Sequence, residues 1–179
     1  MSNIKIKECE QNLDWQKLKQ LYKTAFPKNE RKPLWLVQMK QRRGEADVWI
    51  IEKDGEFCGL AITINEFDMV LLDYFAISEE KRNSGLGSEI LRELQQMYAG
   101  KRFFLEIECQ DENADNAEER VRRKAFYLRN GMSEIGVNVN LFTVDMELLG
   151  YHCSVTYEEY QKLYQTSYGK RVEGMIHEI

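Results

Sequence analysis

The sequence is poor in the residues that mark several common kinds of site. It has only two prolines and two histidines, and its four cysteines lie far apart with no CxxC pair. Without clustered cysteine and histidine, we expect neither a disulfide framework nor a zinc site, and a reducing cytoplasm is the expected location. The same scarcity predicts that the protein carries no metal.

Long apolar runs and a basic excess are missing as well. No run approaches the roughly 20 apolar residues that a membrane span needs, and the N-terminal segment has no apolar core of the signal-peptide type. The net charge of −5 argues against a general nucleic-acid binder, because such proteins usually carry an excess of Lys and Arg. We therefore expect a cytoplasmic protein with neither a membrane nor a nucleic acid as its partner.

What remains is an ordinary globular composition. A chain of 179 residues is long enough for one domain with a two-sided core, and no repeat, linker or low-complexity segment interrupts it. We expect a single domain over residues 1–179, with a core at 3–150 and a C-terminal helical extension at about 155–170. The sequence leaves both a monomer and a homodimer open.

Hydrophobic periodicity predicts the order of helices and strands. Asp54-Gly55 suits the type I′ turn of a hairpin, and Thr156 with Glu159 has the spacing of a capping box before a last helix. The predicted order is β-α-α-β-β-β-α-β-α-β-β, followed by that helix. It predicts a mixed α/β (α+β) fold, with a mostly antiparallel central sheet of six to seven strands and helices on both faces.

The segment RNSGLGSEIL, residues 82–91, places two glycines behind an arginine, between a predicted strand and a predicted helix. It lacks the Gly-Lys-Ser/Thr ending of a Walker loop, and Ile90 stands where a dinucleotide fingerprint has its third glycine. Two interpretations remain from the residues alone. Either backbone amides at the helix N-terminus hold a diphosphate, or Gly85 only permits a tight turn.

Two motifs in this order resemble a known superfamily. The spacing Arg-x-x-Gly-x-Gly on a strand–loop–helix element, with a later FLEIE strand and a helix containing AFYLRNGM, resembles the GCN5-related N-acetyltransferase (GNAT) superfamily. The resemblance extends over roughly residues 3–150. It implies a GNAT-like sheet with a splayed fork and acetyl-coenzyme A (acetyl-CoA) as cosubstrate. The implied reaction is direct attack by a primary amine, of a small molecule or a peptide, on the thioester carbonyl.

The resemblance also implies where acetyl-CoA binds. The pantetheine arm would bond to the backbone of the strand before the glycine loop, as an added strand does, and the loop would hold the pyrophosphate. The implied cofactor-binding residues are Phe75, Ala76, Ile77, Arg82, Asn83, Ser84, Gly85, Leu86, Gly87 and Ser88.

Tyr127 matches the tyrosine of the superfamily's helix motif. The resemblance implies that it is the acid that protonates the departing thiolate. Arg123 and Lys124 precede it by one helical turn, and their charge would lower its pKa if they approached the hydroxyl. The alternative is that Tyr127 packs beside Phe126 under the sheet.

Carboxylates interrupt strands that are otherwise apolar, and a buried carboxylate needs a partner. Glu108 and Asp73 are candidates for the general base, and Glu106 is a candidate for binding a cationic amine. A salt-bridge network with the arginine-rich segment RVRRK explains these residues without catalysis.

Further regions leave alternatives open. Glu66 and Glu30 complete the candidates for substrate binding. The resemblance places Glu30 in a segment, FPKNERKP, that shapes the acceptor pocket of relatives, but a plain surface loop is the simpler explanation. Four C-terminal tyrosines recur near helical spacing, which predicts packing against the sheet or a second subunit, or an aromatic wall for the acceptor. These are Tyr157, Tyr160, Tyr164 and Tyr168.

A non-catalytic, regulatory acyl-CoA-binding module is the alternative to the enzyme.

Overall fold

The computed structural model describes residues 3–179, and the chain divides into two compact units. The first unit comprises the residues up to Asn65 together with Leu72–Ile90, and the second comprises Glu66–Leu71 and Leu91–Ile179. Strand β4 (Met69–Ile77) and helix α3 (Leu86–Met97) each contribute to both units.

The first unit begins with a strand, two helices and a hairpin. Its elements before β4 are β1 (Ile4–Glu8), α1 (Asn12–Ala25), α2 (Leu34–Arg42), β2 (Ala46–Lys53) and β3 (Glu56–Glu66). β2 pairs antiparallel with both β1 and β3. Asp54 and Gly55 join the hairpin with φ of 52° and 83°. Two consecutive positive φ angles are the mark of a type I′ turn, so the predicted turn is confirmed.

The core of the first unit packs helix α1 against the strands. Apolar residues at helical spacing on α1, with Leu18 and Tyr22 fully or almost fully buried, meet alternating residues of β2 and β3 such as Ile50 and Ile62. The ring of Tyr22 lies 4.9 Å from the ring of Tyr74 on β4, in an edge-on arrangement. This packing brings the end of α1 and the segment after it to β4.

The second unit contains the remaining elements. They are β5 (Arg102–Glu108), α4 (Ala117–Arg129), β6 (Met132–Leu141), β7 (Val144–Tyr151), α5 (Tyr157–Tyr168) and β8 (Ile176–Glu178). Residues Met69–Leu71 of β4 pair parallel with Arg102–Phe104 of β5. The other strand pairs of this unit, β5 with β7 and β6 with both β7 and β8, are antiparallel.

The strand order is β1-β2-β3-β4-β5-β7-β6-β8. The predicted mixed α/β class, with a mostly antiparallel open sheet and flanking helices, is confirmed. The sheet has eight strands because β8 adds three residues, a length at which no periodic pattern can be read. The capping box of Thr156 and Glu159 is present at the start of α5. In residues 3–179 no helix is long and apolar enough to cross a membrane.

Candidate active site

The predicted cofactor segment of the first unit is a strand followed by an exposed loop and a helix. β4 ends at Ile77, a 3₁₀ turn covers Glu79–Lys81, and α3 begins at Leu86. The backbone N–H of Ser78 donates to the carbonyl of Cys58 at 2.8 Å, which ties the end of β4 to β3. The strand–loop–helix element expected for residues 75–88 is therefore present.

Gly85 stands immediately before α3 in a conformation that favours glycine. Its φ is +80°, and no atom lies within 4 Å of the position that a Cβ would occupy. Asn83 also has a positive φ, of 59°, and both residues are exposed. The loop thus leaves open space at the helix N-terminus, where amides without intrahelical partners and the helix dipole favour an anion.

The side chains of the loop are partly engaged with its own backbone. The Nε–H of Arg82 donates to the carbonyl of Ile77 at 3.0 Å, and the hydroxyl of Ser84 donates to the carbonyl of Lys81 at 2.7 Å. The amide of Ser88 donates to the carbonyl of Gly85 at 3.1 Å. The first turn of α3 thus uses the amide of Ser88, and cofactor binding by Ser88 stays a prediction. Arg82 is exposed in this loop.

Gly59 on β3 lies beside the strand predicted to bind pantetheine. A Cβ at Gly59 would lie 2.8 Å from the carbonyl oxygen of Ala76 and 3.0 Å from the Cδ1 of Ile77. The two strands approach so closely at this point that no side chain fits. The sequence carried a usable signal here, because a glycine inside a strand pattern indicates a close backbone approach.

Asp73, a predicted general base, is held by a lysine. The Nζ of Lys32 lies 2.7 Å from each of its carboxylate oxygens. The side chain of Asp73 is 4% exposed and that of Lys32 is 18% exposed. The carboxylate is therefore charge-compensated within the first unit. Lys32 comes from the segment between α1 and α2, and nothing in the local sequence indicated this pairing.

Tyr74 attaches the same segment to β4 through its hydroxyl. That hydroxyl donates to the carbonyl of Glu30 at 2.7 Å and accepts the amide N–H of Lys32 at 3.0 Å. The hydroxyl of Tyr22 donates to the carbonyl of Lys32 at 3.1 Å. Glu30, a predicted substrate-binding residue, is exposed, and its backbone is fixed. The segment lies at the surface as expected, but three hydrogen bonds anchor it.

Glu108 is the centre of an ion-pair network in the second unit. Its carboxylate lies 2.9 Å from the guanidinium of Arg120 and 3.0 Å from that of Arg123. It also accepts the side-chain amide of Asn116 at 3.1 Å. The salt-bridge alternative for the segment RVRRK thus describes the contacts of Glu108. Glu66 is the last residue of β3 and is partly buried.

Tyr127 lies on α4 with its ring 5.2 Å from the ring of Phe126. Burial raises the pKa of Tyr127 to about 12, and Arg123 opposes that rise. The expected lowering of the pKa is therefore outweighed by desolvation. Lys124 contacts Glu134 and lies 2.8 Å from Glu147. Burial acts to lower the pKa of Lys124, but these hydrogen bonds raise it overall.

Glu106 accepts hydrogen bonds from two tyrosines of α5. The hydroxyl of Tyr160 donates to one carboxylate oxygen, and the hydroxyl of Tyr164 donates to the other at 2.7 Å. Both tyrosines are fully buried. The predicted packing of these tyrosines against the sheet is confirmed, but the carboxylate they bind was not predicted as their partner. Within residues 3–179 no group of three acidic, histidine or cysteine side chains could hold a metal ion.

A comparison with known families places the chain. The profile of the acetyltransferase (GNAT) family matches residues 15–132, which include the glycine loop and the Tyr127 helix. The chain belongs to the GNAT family. The resemblance read from the two sequence motifs is thereby confirmed, and acyl transfer is the general reaction of this family.

Solved structures share the fold of this GNAT family member. A protein from Bacteroides thetaiotaomicron, described as a GNAT family acetyltransferase, is 20% identical, with a TM-score of 0.74 over 93% of this chain and 98% of that chain. The ribosomal-protein-S18-alanine N-acetyltransferase from Escherichia coli is 17% identical, with a TM-score of 0.58 over 88% and 97%. A GNAT family acetyltransferase from Elizabethkingia anophelis with acetyl-CoA bound is 14% identical, with a TM-score of 0.59 over 85% and 98%. Among curated protein sequences there is no significant match.

Proposed function

We propose that this GNAT family member is an N-acetyltransferase that moves the acetyl group of acetyl-CoA to a primary amine of a small molecule or a peptide. The observation that carries the proposal is the loop between β4 and α3. Gly85 in that loop has a φ of +80°, and no atom lies within 4 Å of the position that a Cβ would occupy. An anion at this position would meet the amides of the helix start and the charge of Arg82.

The cosubstrate would bind in two parts. The backbone of Phe75–Ile77 would take the pantetheine arm as an added strand, and Arg82–Ser88 would take the pyrophosphate. Gly59 supports this assignment because it lets β3 approach β4 closely beside Ala76. A structure of the same fold contains acetyl-CoA, which agrees with the proposed cosubstrate.

The proposed reaction is a single displacement. The nitrogen of the neutral amine attacks the thioester carbonyl, the C–S bond breaks, and the thiolate leaves. Tyr127 is the proposed acid that gives the thiolate its proton. With a pKa of about 12, Tyr127 stays protonated at neutral pH and can donate.

The proton of the amine would pass to a carboxylate, and Glu108 and Asp73 remain the proposed candidates. Each is ion-paired, Asp73 with Lys32 and Glu108 with Arg120 and Arg123. An amine that binds as ammonium would have to take over part of this charge compensation before it loses its proton.

These ion pairs also favour a second candidate function. A GNAT fold that binds acyl-CoA without transferring the acyl group needs the loop at Gly85 but needs no free carboxylate. Such a regulatory module would bind CoA as tightly as an enzyme does. It would release no thiol with any acceptor.

Thermal unfolding with coenzyme A tests the binding step that both candidates share. CoA at 100 times its dissociation constant should stabilise the protein by about 2.7 kcal/mol. Gly85→Ala should lose this stabilisation, because its Cβ enters the space proposed for the pyrophosphate. Gly44→Ala is the matched control, since Gly44 has a φ of +70° and equally open surroundings. It carries similar backbone strain and should keep the CoA response. No shift at millimolar CoA would refute both candidates.

An acceptor screen separates the enzyme from the module. The protein is incubated with acetyl-CoA and a panel of primary amines and peptide N-termini, and free thiol is measured. Amine-dependent thiol release, with the acetylated product confirmed by mass, supports the enzyme. CoA binding without thiol release across the panel supports the module.

A further inference from the structure

Arg31 lies in a segment whose backbone is held on both sides of it. The hydroxyl of Tyr74 donates to the carbonyl of Glu30 and accepts the amide N–H of Lys32. The peptide groups before and after Arg31 therefore meet at one hydroxyl oxygen. The carbonyl of Lys32 accepts a further hydrogen bond from Tyr22. These contacts give the backbone of Arg31 a defined position beside β4, within the first unit.

The side chain of Arg31 has no such attachment at its Nε. That N–H is buried, and no hydrogen-bond acceptor among residues 3–179 pairs with it. A buried donor without an acceptor is costly, so such a group in a folded protein calls for an explanation, for instance a ligand or an ion. Arg31 as a whole is only partly buried. A turn of the side chain would therefore bring the guanidinium to a ligand at the surface without breaking a hydrogen bond at Nε.

The charge of the segment favours an anion as that ligand. Residues 28–32 carry three basic side chains and one acidic side chain. Asp73 compensates one of the basic residues, Lys32, at 2.7 Å. An excess of one positive charge remains, although the whole chain has a net charge of −5. A guanidinium stays charged at any ordinary pH, so Arg31 would keep its attraction for an anion throughout the working range.

The proposed cosubstrate would place its reacting end near the same segment. The proposed pyrophosphate loop, Arg82–Ser88, follows the proposed pantetheine strand, Phe75–Ile77. A pantetheine arm along that strand would therefore direct its sulfur away from the loop, towards Phe75 and the residues before it. Tyr74, which holds the segment, directly precedes Phe75. Arg31 would thus lie on the side from which an acceptor reaches the thioester, and not beside the pyrophosphate.

We propose that Arg31 binds a carboxylate of the acceptor, so that the preferred substrates are amines that also carry a carboxylate. The inference rests on the proposed N-acetyltransferase function and names its substrate class. A planar guanidinium pairs with a carboxylate through parallel N–H···O hydrogen bonds, which fix the orientation of the carboxylate as well as its position. The Nε–H would be one of these donors. The carboxylate would supply the acceptor that the protein itself does not give this group.

Pairs of small amines test the inference without knowledge of the natural acceptor. The pairs are glycine with glycinamide, β-alanine with β-alaninamide, and γ-aminobutyrate with γ-aminobutyramide. Within a pair only one member has a carboxylate, and the pairs differ in the distance between the carboxylate and the amine. Thermal unfolding with saturating CoA and equal concentrations of each amine measures binding. We expect the carboxylate of at least one pair to bind about tenfold more tightly than its amide, the equivalent of 1.4 kcal/mol.

Substitutions in the segment separate a contact of Arg31 from a general effect of charge. Arg31→Gln should abolish the preference for the carboxylate, and Arg31→Lys should restore only part of it, because an ammonium group cannot form the parallel pair. Lys28→Gln is the matched control, since Lys28 is an exposed basic residue of the same segment. It removes the same charge and should keep the preference. Without ligand, Arg31→Gln should unfold at the temperature of the wild type, because it removes no hydrogen bond at Nε.

The thiol-release assay gives a second readout. With the preferred carboxylated amine, Arg31→Gln should raise the KM for the amine about tenfold. The KM for the amide of the same pair and the KM for acetyl-CoA should stay constant. Such a split would place the contact of Arg31 on the acceptor.

Several results would overturn the inference. They are equal binding of carboxylate and amide in every pair, a preference that Arg31→Gln retains, and a preference that Lys28→Gln loses to the same extent. A loss of the CoA response in Arg31→Gln would also overturn it, because Arg31 would then contact the cosubstrate. The CoA response of the wild type is a separate measurement. If CoA stabilises the wild type and no pair is discriminated, only this inference fails, and if CoA has no effect, the proposed function fails.

Discussion

The ammonium nitrogen of Lys32 lies 2.7 Å from both carboxylate oxygens of Asp73. The two residues are far apart in the sequence, and the carboxylate is almost fully buried. This ion pair closes the segment between α1 and α2 onto β4. It compensates the charge of a strand residue that precedes the proposed pantetheine-binding backbone by two positions.

Removing the lysine should leave a buried charge without its partner. We expect Lys32→Met to lower the free energy of unfolding by about 3 kcal/mol, the lower end of the range for breaking a buried pair, since Lys32 is partly exposed. Lys81→Met is the control, because the pair of Lys81 with Glu56 is 37% and 74% exposed. That change should cost less than about 1 kcal/mol. Urea unfolding of the two variants measures the difference, and equal effects would show that the Lys32 pair stabilises no more than a surface pair.

The hydroxyl of Tyr74 should stabilise the same segment independently of the ion pair. Tyr74→Phe removes one donor and one acceptor and leaves the amide of Lys32 without this partner, so we expect a loss of about 2 kcal/mol. Tyr22→Phe removes the hydroxyl that donates to the carbonyl of Lys32 and should cost about 1 kcal/mol. Limited proteolysis should cut residues 27–33 faster in Tyr74→Phe than in Tyr22→Phe. Unchanged cleavage in both would contradict an anchoring role.

Gly59 should tolerate no side chain. In Gly59→Ala the new Cβ would meet a backbone oxygen at 2.8 Å, and backbone cannot move aside as a flexible side chain can. We expect a loss of about 1 to 3 kcal/mol, typical of overpacking. CoA affinity should also weaken, because β4 would shift at Ala76. Gly174→Ala, with no atom within 4 Å of its Cβ position, is the control for thermal unfolding and should change neither quantity.

Replacing Tyr127 should lower turnover but reduce the loss of stability at alkaline pH. Tyr127→Phe should lower turnover while CoA binding stays nearly unchanged, because the ring remains and only the proposed acid is lost. A loss of CoA binding would instead indicate a structural role.

The pH dependence follows from the raised pKa of about 12. A tyrosine in the unfolded chain ionises at about pH 10. Between that pH and the folded pKa, ionisation therefore stabilises the unfolded chain and not the folded one. The contribution of Tyr127 to stability is complete below that pH and is lost as pH rises through the folded pKa. Urea unfolding at several pH values from 8 upwards should therefore show a smaller alkaline loss in Tyr127→Phe than in the wild type. Parallel losses would contradict the raised pKa.

Local rules in the sequence predicted much of the fold. The type I′ turn at Asp54-Gly55, the capping box at Thr156 and the glycine before α3 each depend on a few neighbouring residues, so their pattern is readable. The family followed from two motifs. β8 was missed because three residues carry no periodicity, and its pairing with β6 depends on the course of the chain after α5.

The contacts of the candidate site join residues that are far apart in the sequence, and the sequence alone could not identify these partners. The carboxylates on the strands were recognisable as needing partners, but the choice between a catalytic and an ion-paired carboxylate depends on which side chains the fold brings near. Lys32 and Tyr164 lie 41 and 58 residues from the carboxylates they contact. The single-domain organisation and the roles of the site residues stay predictions.

The guanidinium of Arg102 holds Asp68 at 2.7 Å as well as Glu159, and Glu159 caps α5. The turn before β4, the first residue of β5 and the first turn of α5 therefore share one cation. Opening at Arg102 removes a partner from both of the other places, and opening at either of those removes a partner from Arg102. We expect backbone amides at these places to exchange with solvent deuterium as one group, so that the end of the chain reports on the stability of the strands that lie before it.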